Sequence, residues 1–328
     1  MPVNWGIMST ANINRLFITG ARQADDVRIL AVASRDRGRA ESYAREWGIE
    51  RAHGSYDSLL ADPDVEVVYI SLPNSFHIEW TVKALEAGKH VLCEKPLSRR
   101  SREVRDAFDI AARADRLLME GFMYRHHPQT RRLAELIAQG AVGRVRMVRS
   151  AFSFVADDPG DVRLTSALQG GALMDVGCYC VSAARMVAGE PHRVAAEQAI
   201  GGDGVDVAFA ATMRFADEIL AHFDAGLLLE TSEELEVVGD QGALFLDDPW
   251  HCRNPGIELR RDQEIERIAV ETIDPYRLEA ENMSAAIRGR APLLLGRDDA
   301  LGQAHALEAL YEAAESGTAV TLTPLLRN

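Results

Sequence analysis

The stretch VEVVYISLPNSFHIEWTVKALEAGKHVLCE (65–94) contains two continuous apolar runs separated by a segment of helical composition. The runs occupy 65–72 and 90–94, and such runs are typical of strands that are covered on both faces of a sheet. The segment between them, 76–88, ends at Gly88, a residue that suits a helix terminus. The stretch therefore predicts a strand–helix–strand unit with two parallel strands.

The same alternation extends outward from this unit over residues 1–122. Further apolar runs lie at 3–8, 27–34 and 116–122, and further helical segments lie at 12–23, 36–48 and 100–115. Strands that alternate with helices favour a doubly wound parallel sheet. We therefore predict an α/β fold whose first domain covers residues 1–122.

The pattern changes after residue 122, where strand candidates become shorter and are often separated by Gly, Asp or Asn turns. In chain order the elements are a helix at 128–139, a strand at 144–154, shorter strands between 192 and 272, and helices at 276–289 and 298–316. This order predicts a second, α+β domain over residues 123–328, built on an open, mostly antiparallel sheet.

Composition and charge restrict the class of protein. The chain has 328 residues, a formal net charge of −14 and a pI near 5.1, which disfavours binding to nucleic acid or to anionic membranes. The N-terminal MPVNWGIMST lacks the features of a secretion signal, and the most apolar later stretch, 170–189, contains Asp175 and Arg185. We therefore expect a cytoplasmic protein. The four cysteines follow no zinc pattern, and we expect no metal site.

In a doubly wound sheet a dinucleotide pyrophosphate binds at the first turn, because the N–H groups and dipole of a helix N-terminus attract anions. Here the turn reads GIMSTANIN (6–14), without the three glycines of the G-x-G-x-x-G motif. Small side chains still permit close backbone approach, and hydroxyl and amide groups offer donors to phosphate. An ordinary capped helix start is the alternative. The predicted cofactor contacts in this turn are Ser9, Thr10, Ala11, Asn12 and Ile13.

The end of the second strand, SRDRGR (34–39), carries a basic cluster in an acidic protein. Arginine at this position accommodates a ribose 2′-phosphate, whereas an acidic residue accepts a hydrogen bond from a ribose 2′-hydroxyl. Ser34, Arg35 and Arg39 therefore predict a preference for NADP(H) over NAD(H). Asp36 argues for the opposite preference, and solvated helix charges are a further alternative.

Two motifs carry the candidate chemistry. The strand HVLCE (90–94) is followed directly by Lys95 and Pro96, and the proline biases the lysine towards an extended conformation at the strand exit. The segment GGALMDVGCYC (170–180) would, if helical, present Asp175 and Tyr179 on one face, because they are four residues apart. Alternatively, Glu94 and Lys95 form a solvated ion pair, Asp175 complements a helix dipole, and Tyr179 belongs to the core.

Together these features resemble the Gfo/Idh/MocA oxidoreductase family. The resemblance rests on the nucleotide turn, on EKP (94–96), and on G-G-A-L-x-D-x-G-x-Y (170–179), and it extends to YISLPNSFH (69–77) and FMYRHHPQ (122–129). The sequence also contains GDVR, residues 160–163. Tyr179, where the cyclitol dehydrogenases of the family carry histidine, resembles the branch of dimeric dihydrodiol dehydrogenases, NADP-dependent aldose 1-dehydrogenases and nucleotide-sugar 3-ketoreductases.

The resemblance implies a Rossmann domain, a substrate-binding and oligomerisation domain, and a nicotinamide cofactor between them. It implies that Lys95, often followed by a cis proline, is the catalytic lysine. The cofactor contacts that it adds are Leu72, Pro73, Asn74, His77, Glu94 and Lys95, and the substrate contacts are Lys95, Arg163, Asp175, Tyr179 and Tyr276. His77 could instead cap or pack a helix, and Arg163 could instead pair with the acids of its own loop.

A mechanism follows from the ordinary pKa values of phenol and ammonium, both near 10. A cationic Lys95 would stabilise a Tyr179 phenolate, so that the two groups titrate as a coupled pair. We expect Tyr179 to donate or accept the proton, Lys95 to support it, and Asp175 to orient the substrate hydroxyls or the lysine.

The preferred prediction from the sequence is an NADP(H)-dependent oxidoreductase that oxidises an aldose at its anomeric carbon. Reduction of a keto-sugar and oxidation of a cyclic trans-diol are alternatives. The resemblance also allows an NADP-binding regulator, although the intact Lys95, Asp175 and Tyr179 set argues against it. We further expect a homo-oligomer that forms through the sheet of the second domain, and a sugar or polyol as the substrate.

Overall fold

The computed structural model describes residues 1–158 and 160–323, and these form two compact units. The first unit comprises Met1–Ser98, Arg102–Met123 and Asp274–Leu301. The second unit comprises Arg99–Ser101, Tyr124–Ile273 and the described residues from Gly302 onward.

The first unit contains a parallel sheet whose described strands follow the order β3-β2-β1-β4-β5-β6. The strands are β1 (Val3–Met8), β2 (Val27–Ala33), β3 (Arg51–His53), β4 (Val67–Ile70), β5 (His90–Glu94) and β6 (Leu118–Gly121). All four residues of β4 are buried, which accounts for its continuous apolar run. The predicted doubly wound α/β architecture is confirmed.

Helices connect these strands. They are α1 (Asn14–Ala21), α2 (Arg37–Trp47), α3 (Tyr56–Leu60), α4 (His77–Glu86) and α5 (Ser101–Arg113). The sequence analysis missed β3 and α3, because three and five residues are too short to establish a period. Within α3 the local signal is a capping box, in which Ser55 accepts a hydrogen bond from the Ser58 N–H at 3.1 Å.

The second unit contains a sheet whose described strands follow the order β14-β13-β12-β11-β7-β10-β9-β8-β15. The strands are β7 (Val145–Val155), β8 (Arg193–Ile200), β9 (Asp206–Arg214), β10 (Leu220–Gly226), β11 (Leu228–Gly239), β12 (Ala243–Leu246), β13 (Gly256–Arg261), β14 (Glu264–Ala269) and β15 (Val320–Thr321). Of the described strand pairs, β7 with β10 is parallel and the others are antiparallel. The predicted mostly antiparallel sheet is confirmed.

One face of this sheet packs against helices, whereas side chains on the other face of β9 are exposed. Helices α6 (Pro128–Ala138) and α7 (Cys178–Ala188) belong to this unit, and α7 packs on β7 and β10. Along β9, Phe209 and Met213 are buried whereas Thr212 and Arg214 are exposed. Homo-oligomer formation through the exposed face stays a prediction.

Residues 274–301 belong to the first unit, a departure from the predicted division into 1–122 and 123–328. Helix α8 (Pro275–Ile287) packs on α1, and Ser284 of α8 accepts a hydrogen bond from the indole N–H of Trp5 at 3.2 Å. Arg288 pairs with Glu66 through two contacts of 2.7 and 2.9 Å. These long-range contacts leave no signal in the local sequence pattern.

The chain described here ends with α9 (Arg297–Ser316) and β15. None of the described helices combines the length and apolarity that crossing a bilayer requires.

A matched pair of glycine substitutions tests the packing of α8 on α1. A Cβ atom on Gly20 of α1 would lie 2.5 Å from Asp274 Oδ1 and 2.8 Å from the Arg277 nitrogen, whereas one on Gly38 of α2 would meet only Asp36 Oδ1, at 3.4 Å. Gly20→Ala should therefore lower the free energy of unfolding by about 1–3 kcal/mol. Gly38→Ala should raise it by up to about 1 kcal/mol through helix propensity.

Urea denaturation of both variants measures this difference. Equal changes in the two variants would contradict the close contact between α1 and α8.

Candidate active site

The first turn joins β1 to α1 through Ser9, which has a φ of 125°. This left-handed region favours glycine, so Ser9 adopts a conformation that the missing first glycine of the motif would supply. Its side chain is buried, lies 2.9 Å from Ser71 Oγ, and accepts a hydrogen bond from the Ala11 N–H at 3.1 Å. The hydroxyl is therefore engaged within the protein, and a contact of Ser9 with phosphate stays a prediction.

The N-terminus of α1 remains suited to an anion. Within the described residues no side chain caps it: the N-cap residue is Ile13, while Asn14 donates from its amide to Ser9 O at 2.9 Å. Thr10 and Ala11 are partly exposed and Asn12 is exposed. The Asn14, Arg15 and Leu16 N–H groups donate to carbonyls of the turn at 3.2, 3.1 and 3.0 Å, so the attraction of this turn for a pyrophosphate comes from the helix dipole.

The basic cluster after β2 separates into buried and exposed members. Asp36 is the N-cap of α2, and its Oδ1 accepts from the Arg39 N–H at 2.6 Å. Ser34 is buried and accepts from the Asp36 N–H at 3.3 Å, so its hydroxyl shapes the turn. Arg35 and Arg39 are exposed. The Asp36 carboxylate, which argued for NAD(H), thus caps a helix, while the side chains of Arg35 and Arg39 are exposed.

Tyr56 lies beside this cluster. Burial raises the pKa of its phenol, and the Arg35 guanidinium, which is hydrogen-bonded to the hydroxyl, opposes that rise. The contact holds Arg35 at the end of β2 and leaves guanidinium donors for a further acceptor.

At the end of β5, Glu94 accepts a short hydrogen bond from the Tyr69 hydroxyl, and the Lys95–Pro96 peptide is cis. His77 is 1% exposed, with Nδ1 2.8 Å from Pro96 O and Nε2 2.7 Å from Leu72 O. Burial lowers its pKa, and a neutral ring donates to only one carbonyl at a time.

His77 therefore fastens the backbone beside Lys95. The side chain is enclosed, which is compatible with the packing alternative, and a direct contact of His77 with a cofactor stays a prediction. The predicted contacts Leu72, Pro73 and Asn74 lie between β4 and α4 and are partly exposed.

A buried acidic group, Glu279, interacts electrostatically with Glu94. Glu279 of α8 is fully buried, and neither of its carboxyl oxygens has a hydrogen-bond partner among the described residues. Burial and the charge of Glu94 raise the pKa of Glu279 well above its ordinary value, and burial with the same charge raises those of Tyr69 and Tyr276. Tyr276, predicted to contact substrate, is 7% exposed and belongs to the first unit beside Glu94. The ring is enclosed, and its contact with substrate stays a prediction.

The raised pKa of Glu279 predicts a pH-dependent stability. Wild-type protein should lose stability as pH rises from the unfolded-state pKa, about 4.3, through the folded-state value, because the folded state holds the proton more tightly. Glutamine is neutral throughout, so the gain in Tm of Glu279→Gln over wild type should grow from about pH 5 to about pH 8.

Glu281→Gln is the matched control, because Glu281 lies on the same helix, is partly exposed and pairs with Arg277 at 2.7 Å. Its difference in Tm should stay constant over this range. A constant difference for Glu279→Gln as well would show that Glu279 is already ionised.

In the second unit, the segment with the candidate acid and phenol begins as a π-helical turn, Leu173–Gly177, and continues as α7. The Cys178 N–H donates to Leu173 O, five residues back. The sequence predicted one regular helix, and no local signal distinguishes the wider turn. Asp175 lies in this turn and Tyr179 in the first turn of α7, and π-helical turns often occur at functional sites.

Arg163 contacts two acids, one in its own loop and one in the π-helical turn. Its Nη1 lies 2.9 Å from Asp161 Oδ2, and its Nε lies 2.9 Å from Asp175 Oδ2. The Asp175 carboxylate is the largest cause of the raised pKa of Arg163. A Cβ atom on Gly170 would overlap Arg163 O, so this glycine allows the loop to approach. The structure thus joins two of the predicted substrate residues as an ion pair.

Tyr179 lies in an aromatic cluster that the sequence analysis missed. Its ring centroid is 5.6 Å from that of Tyr124, 5.4 Å from Phe152 and 5.9 Å from Trp250. Its side chain is 6% exposed. The FMYRHHPQ motif contains Tyr124, but the other two rings come from distant parts of the chain. The ring of Tyr179 therefore packs among aromatic side chains.

One group of side chains in the described part of the second unit has metal-like spacing: Glu233, Asp248 and His251. Glu233 lies 2.8 Å from His251 Nδ1 and 3.3 Å from Arg253 Nη2, and Asp248 accepts from backbone N–H groups. Arg253 already supplies a positive charge to this cluster.

Two sequence profiles match the chain. One, described as an oxidoreductase family with an NAD-binding Rossmann fold, matches residues 3–122, and the other, a GFO/IDH/MocA C-terminal domain, matches residues 130–245. The chain is therefore an oxidoreductase with an NAD(P)-binding Rossmann domain. It belongs to the GFO/IDH/MocA family.

Named relatives match between about three quarters and nearly all of the chain. D-xylose 1-dehydrogenase (NADP(+)) 2 from Haloferax volcanii is 38% identical over 323 residues, 97% of this chain and 99% of the relative. Trans-1,2-dihydrobenzene-1,2-diol dehydrogenase from Danio rerio is 34% identical over 257 residues, 77% of this chain and 76% of the relative. The crystal structure of KijD10, a 3-ketoreductase from Actinomadura kijaniata in complex with NADP and TDP-benzene, is similar with a TM-score of 0.90 and 29% identity, covering 95% of this chain and 98% of that one. The predicted family and branch are confirmed.

Proposed function

We propose that this protein is an NADP(H)-dependent sugar dehydrogenase that oxidises an aldose at its anomeric carbon. The observation that carries the proposal is the polar set of the second unit, in which Arg163 is paired with Asp175 one turn before Tyr179. A guanidinium and a carboxylate together offer donors and acceptors to vicinal hydroxyls, as a sugar requires. The similarity to a D-xylose 1-dehydrogenase supports the same substrate class.

The residues of the first unit fit NADP(H). The uncapped start of α1 suits the pyrophosphate, and Arg35 and Arg39 suit a 2′-phosphate because both are exposed and Asp36 is engaged as a helix cap. Glu94 and Lys95, at the end of β5, would contact the nicotinamide nucleoside. The bound cofactor would supply a hydride acceptor for the carbinol carbon.

Tyr179 would accept the hydroxyl proton as the carbon gives up its hydride. Lys95, as a cation, would stabilise the phenolate form of Tyr179 that accepts this proton, and the two groups would titrate together. Asp175, held by Arg163, would accept a hydrogen bond from a neighbouring substrate hydroxyl and so orient the ring. In the reverse direction Tyr179 would return its proton to the carbonyl oxygen.

Turnover of a substrate panel, with and without the phenol, tests this function. Purified protein with NADP+ and a panel of aldoses should produce absorbance of the reduced nicotinamide. Tyr179→Phe should lower kcat by about 10²–10⁴-fold through loss of acid–base catalysis and leave NADPH affinity unchanged.

Tyr43→Phe is the control, since the Tyr43 hydroxyl is buried without a hydrogen-bond partner among the described residues. Full activity of Tyr179→Phe, or no turnover of any aldose by wild type, would count against the proposal.

Cofactor preference tests the basic cluster. Arg35→Ala and Arg39→Ala should each raise the KM for NADP+ by about 10–100-fold, the range expected when a charged hydrogen bond is lost, and leave the KM for NAD+ nearly unchanged. Arg37→Ala is the control, because Arg37 is exposed on the same helix and pairs with Glu41 at 2.9 Å. Equal effects on both cofactors would remove the basis for the NADP(H) assignment.

The aromatic cluster favours a second candidate, oxidation of a cyclic trans-diol. Tyr124, Phe152 and Trp250 pack around Tyr179 and make its surroundings apolar, which suits an unsaturated ring better than a fully hydroxylated one. A similar dihydrodiol dehydrogenase supports it. Cyclic diols in the same panel decide between the two, and a keto-sugar with NADPH tests the reductase alternative, which the similarity to KijD10 supports.

A further inference from the structure

Asp206, the first residue of β9, is a buried acid in the second unit. Its side chain is 3% exposed, and each carboxylate oxygen has a partner. Oδ2 accepts a hydrogen bond from the Leu173 N–H at 2.7 Å, and Oδ1 accepts one from the Tyr311 hydroxyl at 3.1 Å. Asp206 thus links a strand, a helical segment and α9.

The Leu173 N–H is the first donor of the π-helical turn that contains Asp175. Just before it, the Gly171 N–H donates to Arg163 O at 2.8 Å, and Gly171 O accepts from the Asp175 N–H at 2.9 Å. Gly171 has a φ of 124°, and a Cβ atom on it would overlap Asp206 Oδ1. The glycine therefore makes room for the carboxylate at the start of the helical segment.

A carboxylate at this place has two favourable effects. It makes a charge-assisted hydrogen bond to an N–H group that lacks an intrahelical partner. It also complements the positive end of the helix dipole. Both effects depend on the charge of Asp206 and act on the end of the segment nearest to Asp175.

Tyr311 fixes the other carboxylate oxygen. Its ring is 5% exposed, with the Arg99 guanidinium 4.4 Å from its centroid and the Phe209 ring centroid at 5.9 Å. Burial and Asp206 raise the pKa of this phenol, so Tyr311 is a neutral donor. Arg99 also lies 3.5 Å from Glu315. The hydroxyl that binds Asp206 Oδ1 therefore belongs to a buried side chain that is packed on its neighbours.

The charged state of Asp206 is sensitive to mildly acidic pH. Burial raises its pKa to about 6, against the opposing effects of the Leu173 N–H, the Tyr311 hydroxyl and the Arg99 charge. Above this pH the group is ionised and its bond to the helical segment is strongest. Below it, protonation removes the charge from that bond.

We propose that Asp206 is a positioning residue: held by Tyr311, it fixes the start of the segment 173–179 and so sets the orientation of Asp175 and Tyr179 towards the substrate. The inference rests on the proposed function, in which these two side chains orient the sugar and move the proton. Small displacements of reacting groups are costly, about 100-fold in rate for 1 Å.

Asp206→Asn removes the negative charge of the side chain and keeps its shape. The amide oxygen can still accept from the Leu173 N–H while the amide nitrogen donates to Tyr311, so the fold should be retained. We expect kcat to fall by about 5–50-fold, with the affinity for NADPH unchanged. We also expect the acidic limb of kcat/KM near pH 6 to be present in wild type and absent in the variant.

Two further variants complete the design. Tyr311→Phe removes one donor and should produce a smaller loss of kcat, about 2–5-fold. Asp262→Asn is the control, since Asp262 is exposed in the turn between β13 and β14 with a φ of 47° that asparagine tolerates, and it should match wild type.

Hydrogen exchange of the peptide that covers 171–179 supplies a readout that needs no substrate. Its amides should exchange faster in Asp206→Asn than in wild type or in Asp262→Asn. If wild type turns over no substrate, the proposed function fails. Faster exchange in Asp206→Asn would even then support the role of Asp206 in fixing the start of the segment 173–179.

Three results would overturn the inference. One is unchanged exchange in Asp206→Asn. Another is unchanged kcat with the acidic limb retained. The third is a loss of activity that only follows the folded fraction, with KM and the pH profile of the remaining activity as in wild type, because this would indicate a purely structural role.

Discussion

The parallel pairing of β1, β2, β4 and β5 is the constraint on which the first unit depends. Parallel strands bring their carboxyl ends to one edge, so the Ser9 turn, the arginine cluster, Leu72 and Glu94 follow strands that end side by side. None of these groups is close to another in sequence. The sheet alone collects them, and it does so because its strands are buried on both faces and have little freedom of register.

Burial then decides what each polar group at this edge can do. His77 and Glu279 are enclosed, and enclosure favours their neutral forms, so they contribute shape and hydrogen bonds. Arg35 and Arg39 remain exposed and charged. In the second unit the same division separates the buried Asp206 from the ion pair of Arg163 with Asp175, which is partly exposed.

Sequence reasoning reached the architecture because continuous apolar runs report burial directly, as in 65–72 and 90–94. It reached the family through EKP and its spaced Asp175 and Tyr179. It could not show how far the side chains of Ser9, His77 and Tyr276 are enclosed, because their enclosure depends on partners far away in the chain. It missed the π-helical turn, because a change in the hydrogen-bond pattern of a helix produces no distinct pattern of apolar residues. It missed the assignment of 274–301 to the first unit, because the packing partners of this segment are distant in sequence.

The Ser9 turn has a consequence for how such proteins are recognised in genomes. The turn keeps the geometry of a nucleotide loop, with a left-handed residue after β1 and an uncapped helix start, while every glycine of the usual fingerprint is replaced. The Ser9 hydroxyl makes hydrogen bonds, to Ser71 among others, that a glycine could not make, which offsets part of the backbone strain. A search pattern written around three glycines would pass over this chain, whereas one written around small residues between a buried strand and an uncapped helix would find it.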